Sequence, residues 1–277
     1  MTLTRALILA LTVAGSTALA GFALADEEAA PAAEAPAEAL PTAKEVLDKF
    51  RAACNLDGLK VTKNQLMVGT FAMPEQGVEA KMEAWAGAPN LIKVKVTIPG
   101  MGETFEGFDG TTAWSMDPMQ GPVVKHGEVA EQSAFDADYF ASIDTERFVE
   151  METLAKEDFH GTAAYKIRLQ PRVGAEITAW YAVDTGLELG QETVHKTPMG
   201  DIPGMIRMFE YADFAGMKFP TKMEQTMMGM KQIITIEKLE FDVEPAPDFS
   251  PPEAIQELLA DPEARKEEAA EEKPAAK

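Results

Sequence analysis

The stretch FEGFDGTTAWSMDPMQG, residues 105–121, places acidic residues beside glycines and is the first candidate for a metal-binding or catalytic loop. A calcium loop of the EF-hand type needs oxygen ligands at alternate positions and a glutamate at its end. Here GTTAW follows Asp109, so the series of ligands stops after one residue. Asp109-Gly110 and Asp117-Pro118 instead have the composition of turns. The sequence therefore predicts a strand, a turn and a second strand on which Trp114 and Met116 share a face.

Other residues with reactive side chains lack the neighbours that catalysis or metal binding requires. The three histidines, His126, His160 and His195, have no HExxH or CxxC context, and no G-x-S-x-G, P-loop or G-x-G-x-x-G motif occurs. The single cysteine, Cys54, lies on a predicted helix without an adjacent base, so we interpret it as a buried structural thiol. Carboxylates are too abundant for a glycosidase pair to be chosen. We expect a protein that is not an enzyme and that binds no metal and no cofactor.

The N-terminus has the pattern of a secretory signal peptide. MTLTR carries one positive charge, an apolar run follows, and Ala23-Leu24-Ala25 provides a cleavage site with small residues before Asp26. An uncleaved membrane anchor is the alternative. No later stretch approaches ~18 apolar residues, so we expect a soluble mature chain in the periplasm. Because the chain has one cysteine, no internal disulfide can form, and the fold must be stable without one.

The charge distribution limits both the partners and the extent of the folded part. The net charge is −21, from 25 basic and 46 acidic residues, which disfavours nucleic acid or an anionic membrane surface as an electrostatic partner. Residues 26–41 and 263–277 are rich in Ala, Pro, Glu and Lys and read as disordered. We therefore divide the chain into a signal peptide (1–25), a linker (26–41), one domain (42–250), and a short helix with a charged tail (251–277).

Within the predicted domain the hydrophobic period changes from that of a helix to that of strands. Thr42 to Asn55 has apolar residues at helical spacing after a plausible N-cap. Leu91 to Ile98 (LIKVKVTI) then alternates strictly between apolar and polar residues, and further alternating segments are bounded by glycine-containing turns. A helical insertion is predicted at 128–143 and a short helix after Pro252. With so few helices between strands, the pattern indicates an antiparallel meander rather than βαβ units.

The methionines are a further feature, because eight of the 16 lie between Met199 and Met230. Flexible thioethers suit a surface that accepts apolar ligands of variable shape, although residue chemistry alone favours a methionine-rich core. A large twisted sheet tends to curl, and with little helical cover it would enclose an apolar hollow. The candidate wall residues, each of which could also be ordinary core, are Val94, Val96, Ile98, Trp114, Met116, Tyr165, Ile167, Ile177, Tyr181, Met223, Met227 and Ile234.

The order of several segments resembles a known family. APNLIKVKV, FDGTTAWSMDP, YAVDTGLELGQE and FAGMKFPTKMEQ followed by IITIEKLEF are together similar to the LolA/LolB-like superfamily, which includes outer-membrane lipoprotein-sorting proteins. The resemblance implies a mainly β (α+β) fold: a large curved antiparallel sheet that forms an unclosed β-barrel of about eleven strands, lidded by an N-terminal helix and short helices. It also implies an apolar cavity for acyl chains. The position of an arginine frequent in the family is occupied by Lys93.

These observations lead to one functional hypothesis and two alternatives. The hypothesis is a periplasmic, non-catalytic and monomeric carrier or binding protein whose partners are lipids or the acyl chains of lipoproteins. The first alternative is an envelope sensor or interaction module on the same fold, with an envelope membrane protein as its partner. The second is a hydrolase built on the same sheet.

Overall fold

A computed structural model describes residues 39–197, 200–227 and 229–260. The predicted signal peptide, most of the predicted linker and the predicted charged tail lie outside these ranges. Within them the chain is mostly β-structure, with three α-helices that we number α1 (Ala43–Ala53), α2 (Gly127–Asp136) and α3 (Glu253–Ala260). None of the helices in the described ranges is long and apolar enough to span a membrane.

Thirteen strands form one curved antiparallel sheet that does not close into a barrel. The strands are β1 (Asn64–Met73), β2 (Val78–Gly87), β3 (Leu91–Ile98), β4 (Gly102–Phe108), β5 (Ala113–Asp117), β6 (Gly121–Val124), β7 (Phe148–Phe159), β8 (Thr162–Pro171), β9 (Ile177–Ala182), β10 (Glu188–Thr197), β11 (Gly200–Met208), β14 (Lys222–Met227) and β15 (Met230–Phe241). Their order across the sheet is β6-β5-β4-β3-β2-β1-β15-β14-β11-β10-β9-β8-β7. The antiparallel meander and the open sheet predicted from the sequence are confirmed.

A separate two-stranded hairpin, β12 (Tyr211–Phe214) and β13 (Met217–Pro220), leaves the large sheet and packs against its side chains. We call it the inner hairpin. The large sheet has thirteen strands rather than about eleven. One strand that the alternation did not reveal is β6, which contains Pro122; proline is tolerated there because β6 is an edge strand.

The turn after Phe108 and the helical insertion show how local side chains end an element. Asp109 Oδ1 accepts hydrogen bonds from the backbone N–H groups of Thr111 (2.9 Å) and Thr112 (2.7 Å), and Gly110 has a φ of 94°, so the predicted Asp-Gly turn is confirmed. The insertion is helical only to Asp136, short of the predicted residue 143. Asp138 Oδ1 accepts a hydrogen bond from the N–H of Phe140 (2.9 Å), which favours a turn over a further helical turn.

Helix α1 begins with a capping box. The Thr42 hydroxyl accepts a hydrogen bond from the N–H of Glu45 (3.2 Å), and the Glu45 carboxylate accepts one from the N–H of Thr42 (2.7 Å). The apolar face of α1 buries Ala43, Val46 and Phe50 against the sheet. We call α1 the lid helix, because it lies over one half of the sheet.

The two faces of the sheet differ in what covers them. We call the inner face the one against which the lid helix, α2 and the inner hairpin pack; it carries the two largest hydrophobic clusters. The outer face is partly covered by α3, whose Ile255 is fully buried against Trp114 and Val124. Before α3 the chain crosses the outer face, where Phe249 lies close to Gly87 and the carbonyl of Asp248 accepts a hydrogen bond from Lys93 Nζ (3.4 Å).

Candidate apolar binding site

The inner face brings most of the predicted wall residues together in two neighbouring clusters. The first cluster includes Val94, Val96, Met223 and Ile234, all buried, with Ile98 packed against it. The second includes Ile167, Ile177 and Tyr181, with Tyr165 packed against it, beneath the lid helix. Ile143, Tyr211 and Phe219 pack against both clusters and therefore join them. The alternation of each strand places these side chains on one face, as we expected.

Trp114 and Met116 lie on the opposite face from the other predicted wall residues. Trp114 pairs with Gly107 and Met116 with Phe105, whereas Val94 pairs with Glu106, the residue between those two partners. Neighbouring residues of a strand point to opposite faces, so Trp114 and Val94 cannot line one hollow. The sequence could not reveal this, because α3 covers the outer face and makes apolar residues favourable on both sides. Met227 ends β14, and its side chain lies outside the described part of the chain.

Much of the expected hollow is filled by the protein itself. The lid helix, α2 and the inner hairpin occupy the inner face, and three of the cavities on it have volumes of only about 30, 20 and 10 Å³. A single water needs ~10–15 Å³ on this measure. These three cavities are therefore too small for an acyl chain in the arrangement observed.

One larger cavity opens beside the N-terminal half of the lid helix, and we call it the lid cavity. Its volume is about 560 Å³, within the range of roughly 300–1,000 Å³ usual for small-molecule sites. Leu40, Pro41 and Val46 line it from the chain around the lid helix, and Tyr165 and Tyr181 line it from the sheet. The charged side chains of Glu45 and Lys49 also belong to its lining, so the cavity is apolar on one side and polar on the other. Tyr165 and Tyr181 were predicted wall residues. Leu40 and Val46 were not, although the helical spacing had marked Val46 as part of an apolar face.

The lid helix separates the lid cavity from two of the smaller ones. Tyr181 lines both the lid cavity and the cavity of about 30 Å³. Phe50 lines that same cavity and the one of about 10 Å³, and its ring stands edge-on to Tyr181 with centroids 5.3 Å apart. A displacement of the lid helix that separated Phe50 from Tyr181 would therefore join these spaces into one.

Polar contacts hold the lid helix at its middle and at its C-terminal end. Lys49 Nζ donates a hydrogen bond to the carbonyl oxygen of Val183, and the side chain of Lys49 lies against Gly186. At the C-terminal end, the backbone carbonyl of Cys54 accepts a hydrogen bond from the N–H of Lys218 (2.9 Å), and Asn55 Nδ2 donates one to Gly216 O (2.8 Å). The lid helix is thus tied to the β9–β10 turn and to the inner hairpin.

Ionisable groups beneath the lid are deeply buried. Glu188 is 1% exposed, and its backbone carbonyl accepts a hydrogen bond from the Tyr211 hydroxyl (2.8 Å). Burial, and secondarily the charge of Glu188, raise the pKa of Tyr211 well above its ordinary value. The same two causes raise the pKa of the Cys54 thiol to about 12. Cys54 is fully buried, as predicted, and its raised pKa opposes the formation of a nucleophilic thiolate.

His126 and His160 lie apart from the lid cavity. His126 is the N-cap residue of α2, and His160 lies in the β7–β8 turn with its ring edge-on to Phe159. The side chain of His195 is outside the described residues. In the part of the chain that the structure describes, no group of three or more His, Cys, Asp or Glu residues is arranged to hold a metal ion.

Comparisons with known proteins give similarity only at the level of structure. No family model and no curated protein matches the sequence. A LolA superfamily protein from Nitrosomonas europaea is 14% identical, with a TM-score of 0.54 over 76% of this chain and 99% of that chain. A domain from Vibrio parahaemolyticus, described as an outer membrane lipoprotein-sorting protein, is 12% identical, with a TM-score of 0.50 over 78% and 97% of the two chains.

A third solved structure agrees with these two. A DUF1329 family protein from Desulfovibrio piger is 12% identical, with a TM-score of 0.52 over 74% of this chain and 95% of that chain. At sequence identities this low, the structural similarity shows that the fold is shared. It does not show that this protein has the cargo or the partner of any of these proteins. The described chain therefore has the LolA-like fold that the resemblance of its sequence predicted.

Proposed function

We propose that this protein is a non-catalytic binding protein of the cell envelope that holds an acyl chain, or a similarly apolar group, between the lid helix and the inner face of the sheet. The lid cavity of about 560 Å³ is the observation that carries the proposal. It is open to solvent beside Leu40, and the apolar cluster that contains Tyr181 continues from it under the lid helix and joins the larger cluster through Ile143, Tyr211 and Phe219. Transport of a lipoprotein and residence in the periplasm extend this proposal. They are supported by the predicted signal peptide and by the description of the similar Vibrio parahaemolyticus domain.

The driving force is the removal of hydrocarbon from water. Each buried CH₂ contributes about 0.8 kcal/mol, so a C16 chain would gain on the order of 10 kcal/mol before ordering and desolvation costs. A chain of that length fits completely only when the lid helix moves away from the sheet. The apolar contacts between the lid helix and the sheet are then replaced by contacts with the ligand. Flexible methionines in the inner clusters, Met82, Met208 and Met223 among them, suit a core that repacks around a ligand.

Binding of a neutral fluorescent probe, N-phenyl-1-naphthylamine, to the purified mature protein tests the proposal. We expect saturable binding, and lipid extracted from protein purified from its native host in about equimolar amount. Leu40→Asp places a charge at the mouth of the lid cavity, where Leu40 is 42% exposed, and should weaken probe binding at least about tenfold. The matched control is Val61→Asp, because Val61 is apolar, 82% exposed and not part of the cavity lining. A wild-type protein that neither binds the probe nor carries lipid would refute the proposal.

A second function, recognition of a protein partner, is favoured by a different observation. Met101 and Met119 are 57% and 82% exposed on the β3–β4 and β5–β6 turns, which are neighbours because Gly102 lies against Pro118. Exposed apolar residues that lie together suit an interaction site. Exchange of both methionines for glutamate should then abolish capture of an envelope partner from the native host and leave probe binding unchanged.

A further inference from the structure

Three glutamines are buried in one row on the inner face, where most of the surrounding residues are apolar. Gln191, Gln225 and Gln232 are 2%, 2% and 4% exposed. The strand register places Gln191 opposite Ile206, Ile206 opposite Gln225, and Gln225 opposite Gln232. Paired residues of antiparallel strands point to the same face, so the three amides and Ile206 form one row across β10, β11, β14 and β15. We call it the glutamine row.

The glutamine row is unfavourable for folding unless its polar atoms find partners. Gln225 Oε1 is buried and has no hydrogen-bond partner among the described residues. An apolar side chain of similar size would avoid the loss of hydration that an unpartnered buried oxygen suffers. A buried polar atom of this kind in an otherwise apolar cluster calls for an explanation, and an absent ligand is one.

The position of the row relates it to the lid cavity. Gln225 on β14 and Tyr181 on β9 are separated by three steps from strand to strand and by two residues in the direction of the strands. At ordinary strand spacing this offset corresponds to roughly 16 Å. Met223 and Ile234 of the larger apolar cluster are each two residues from the row on the same face. A long acyl ligand that spanned this distance would place one of its ends at the glutamine row, and the amides of the row favour the polar end.

We propose that the glutamine row binds the uncharged polar end of an acyl ligand, an ester, amide or hydroxyl group; this inference rests on the proposed function. A glutamine amide both donates and accepts hydrogen bonds and carries no charge, so it matches such groups. The four residues of the row include no cation to pair with a carboxylate or a phosphate. On the same face of β10 lies Glu188, whose carboxylate would repel an anionic head group. A neutral acyl ester is therefore preferred over a free fatty acid.

Competition between two ligands that share one acyl chain tests the inference. The mature protein is saturated with N-phenyl-1-naphthylamine, and monooleoylglycerol or oleate is added below the concentration at which either self-associates. We expect monooleoylglycerol to displace the probe at a concentration about tenfold lower than oleate. Gln225→Leu should remove most of this preference by weakening monooleoylglycerol alone, and its thermal midpoint should be unchanged or raised, because the unpartnered oxygen is gone.

Two further variants complete the experiment. Gln120→Leu, on the exposed β5–β6 turn, is the matched control and should keep the wild-type preference. Gln232→Leu tests the same row by a second route if Gln225→Leu does not fold. Equal displacement by the two ligands in the wild type, or a lowered thermal midpoint with equal loss of both ligands in the variants, would overturn the role of the row while the proposed function stood. A wild-type protein that does not bind the probe would overturn both.

Discussion

At the scale of single residues, Tyr181 and Phe50 form the contact on which the lid helix rests. Tyr181 belongs to the sheet and Phe50 to the lid, and between them they line three of the described cavities. Aromatic pairs in edge-on contact add about 0.5–1.5 kcal/mol to the effect of burial. The pair therefore stabilises the closed lid, and the binding of a long apolar ligand must replace this contact with others of similar size.

Cys54 offers a prediction about pH. Burial and the nearby Glu188 raise its pKa from an ordinary 9.0 to about 12, so between these values the unfolded chain has lost the thiol proton while the folded chain still holds it. Because the unfolded state then binds fewer protons, the stability that the protonated thiol contributes falls as pH rises from about 9. Relative to Cys54→Ala, the wild type should lose about 1.4 kcal/mol of unfolding free energy between pH 8 and pH 10.

Urea denaturation of both proteins at the two pH values measures this difference. Other groups that titrate in the same range, such as tyrosines, are common to the two proteins and cancel in the comparison. A difference between wild type and Cys54→Ala that stayed constant from pH 8 to pH 10 would contradict the raised pKa.

Some residue roles could be predicted from the sequence and others could not. The Asp109 turn was predictable because its hydrogen bonds are local, and the burial of Cys54 followed from helical spacing. The face of Trp114 was not predictable, since alternation shows which residues share a face and not which face is inside. One member of the glutamine row is visible in the sequence pattern of β15. Gln232, Ile234 and Ile236 are alternate residues of that strand, so all three side chains point to the inner face.

At the scale of elements, α3 packs on the outer face against Trp114, and we call this contact the clasp. Helix α3 has eight residues, and Ile255, Leu258 and Leu259 on it contact the Trp114 cluster. A helix this short is marginal by itself, so its stability depends on that apolar contact. The strands were predictable from alternation, and the short helix after Pro252 was predicted as well. The contact of α3 with Trp114 was not predictable, because Trp114 is distant in sequence, and β6 was missed because a four-residue strand with a proline shows no clear alternation.

Replacement of Ile255, which is fully buried, by aspartate tests the clasp. A buried, unpaired carboxylate is strongly disfavoured, so the helix should leave the sheet and expose Trp114 to water. We expect a red shift of tryptophan emission and greater quenching by acrylamide. Glu257→Asp on the same helix, at an exposed position, is the control. Unchanged emission from a folded Ile255→Asp protein would show that α3 does not protect Trp114.

At the scale of the whole molecule, the space left on the inner face depends both on the sheet and on the elements that cover it. The apolar periodicity of the strands was sufficient to predict a curled antiparallel sheet. It was not sufficient to predict how full the inner face would be, because that depends on where the lid helix, α2 and the inner hairpin settle. In the described part of the chain the cover lies closely on much of the inner face, and the lid cavity opens beside the lid helix. Under the proposed function, binding of a full acyl chain therefore requires movement of the lid helix.

A reversible lock on the lid helix tests that requirement. Gly186 lies against the side chain of Lys49, and a Cβ built at Gly186 would be 2.9 Å from Lys49 Cγ, which is close enough for a disulfide between cysteines at the two positions. We expect the oxidised Lys49→Cys/Gly186→Cys protein to exclude monooleoylglycerol and the reduced protein to bind it. The φ of 74° at Gly186 makes the exchange cost roughly 1–2 kcal/mol, in the oxidised and the reduced protein alike. Wild-type protein treated with the same reductant is the control, and Cys54 does not interfere, because it is buried. Equal uptake by the oxidised and reduced forms would mean that ligands enter without movement of the lid helix.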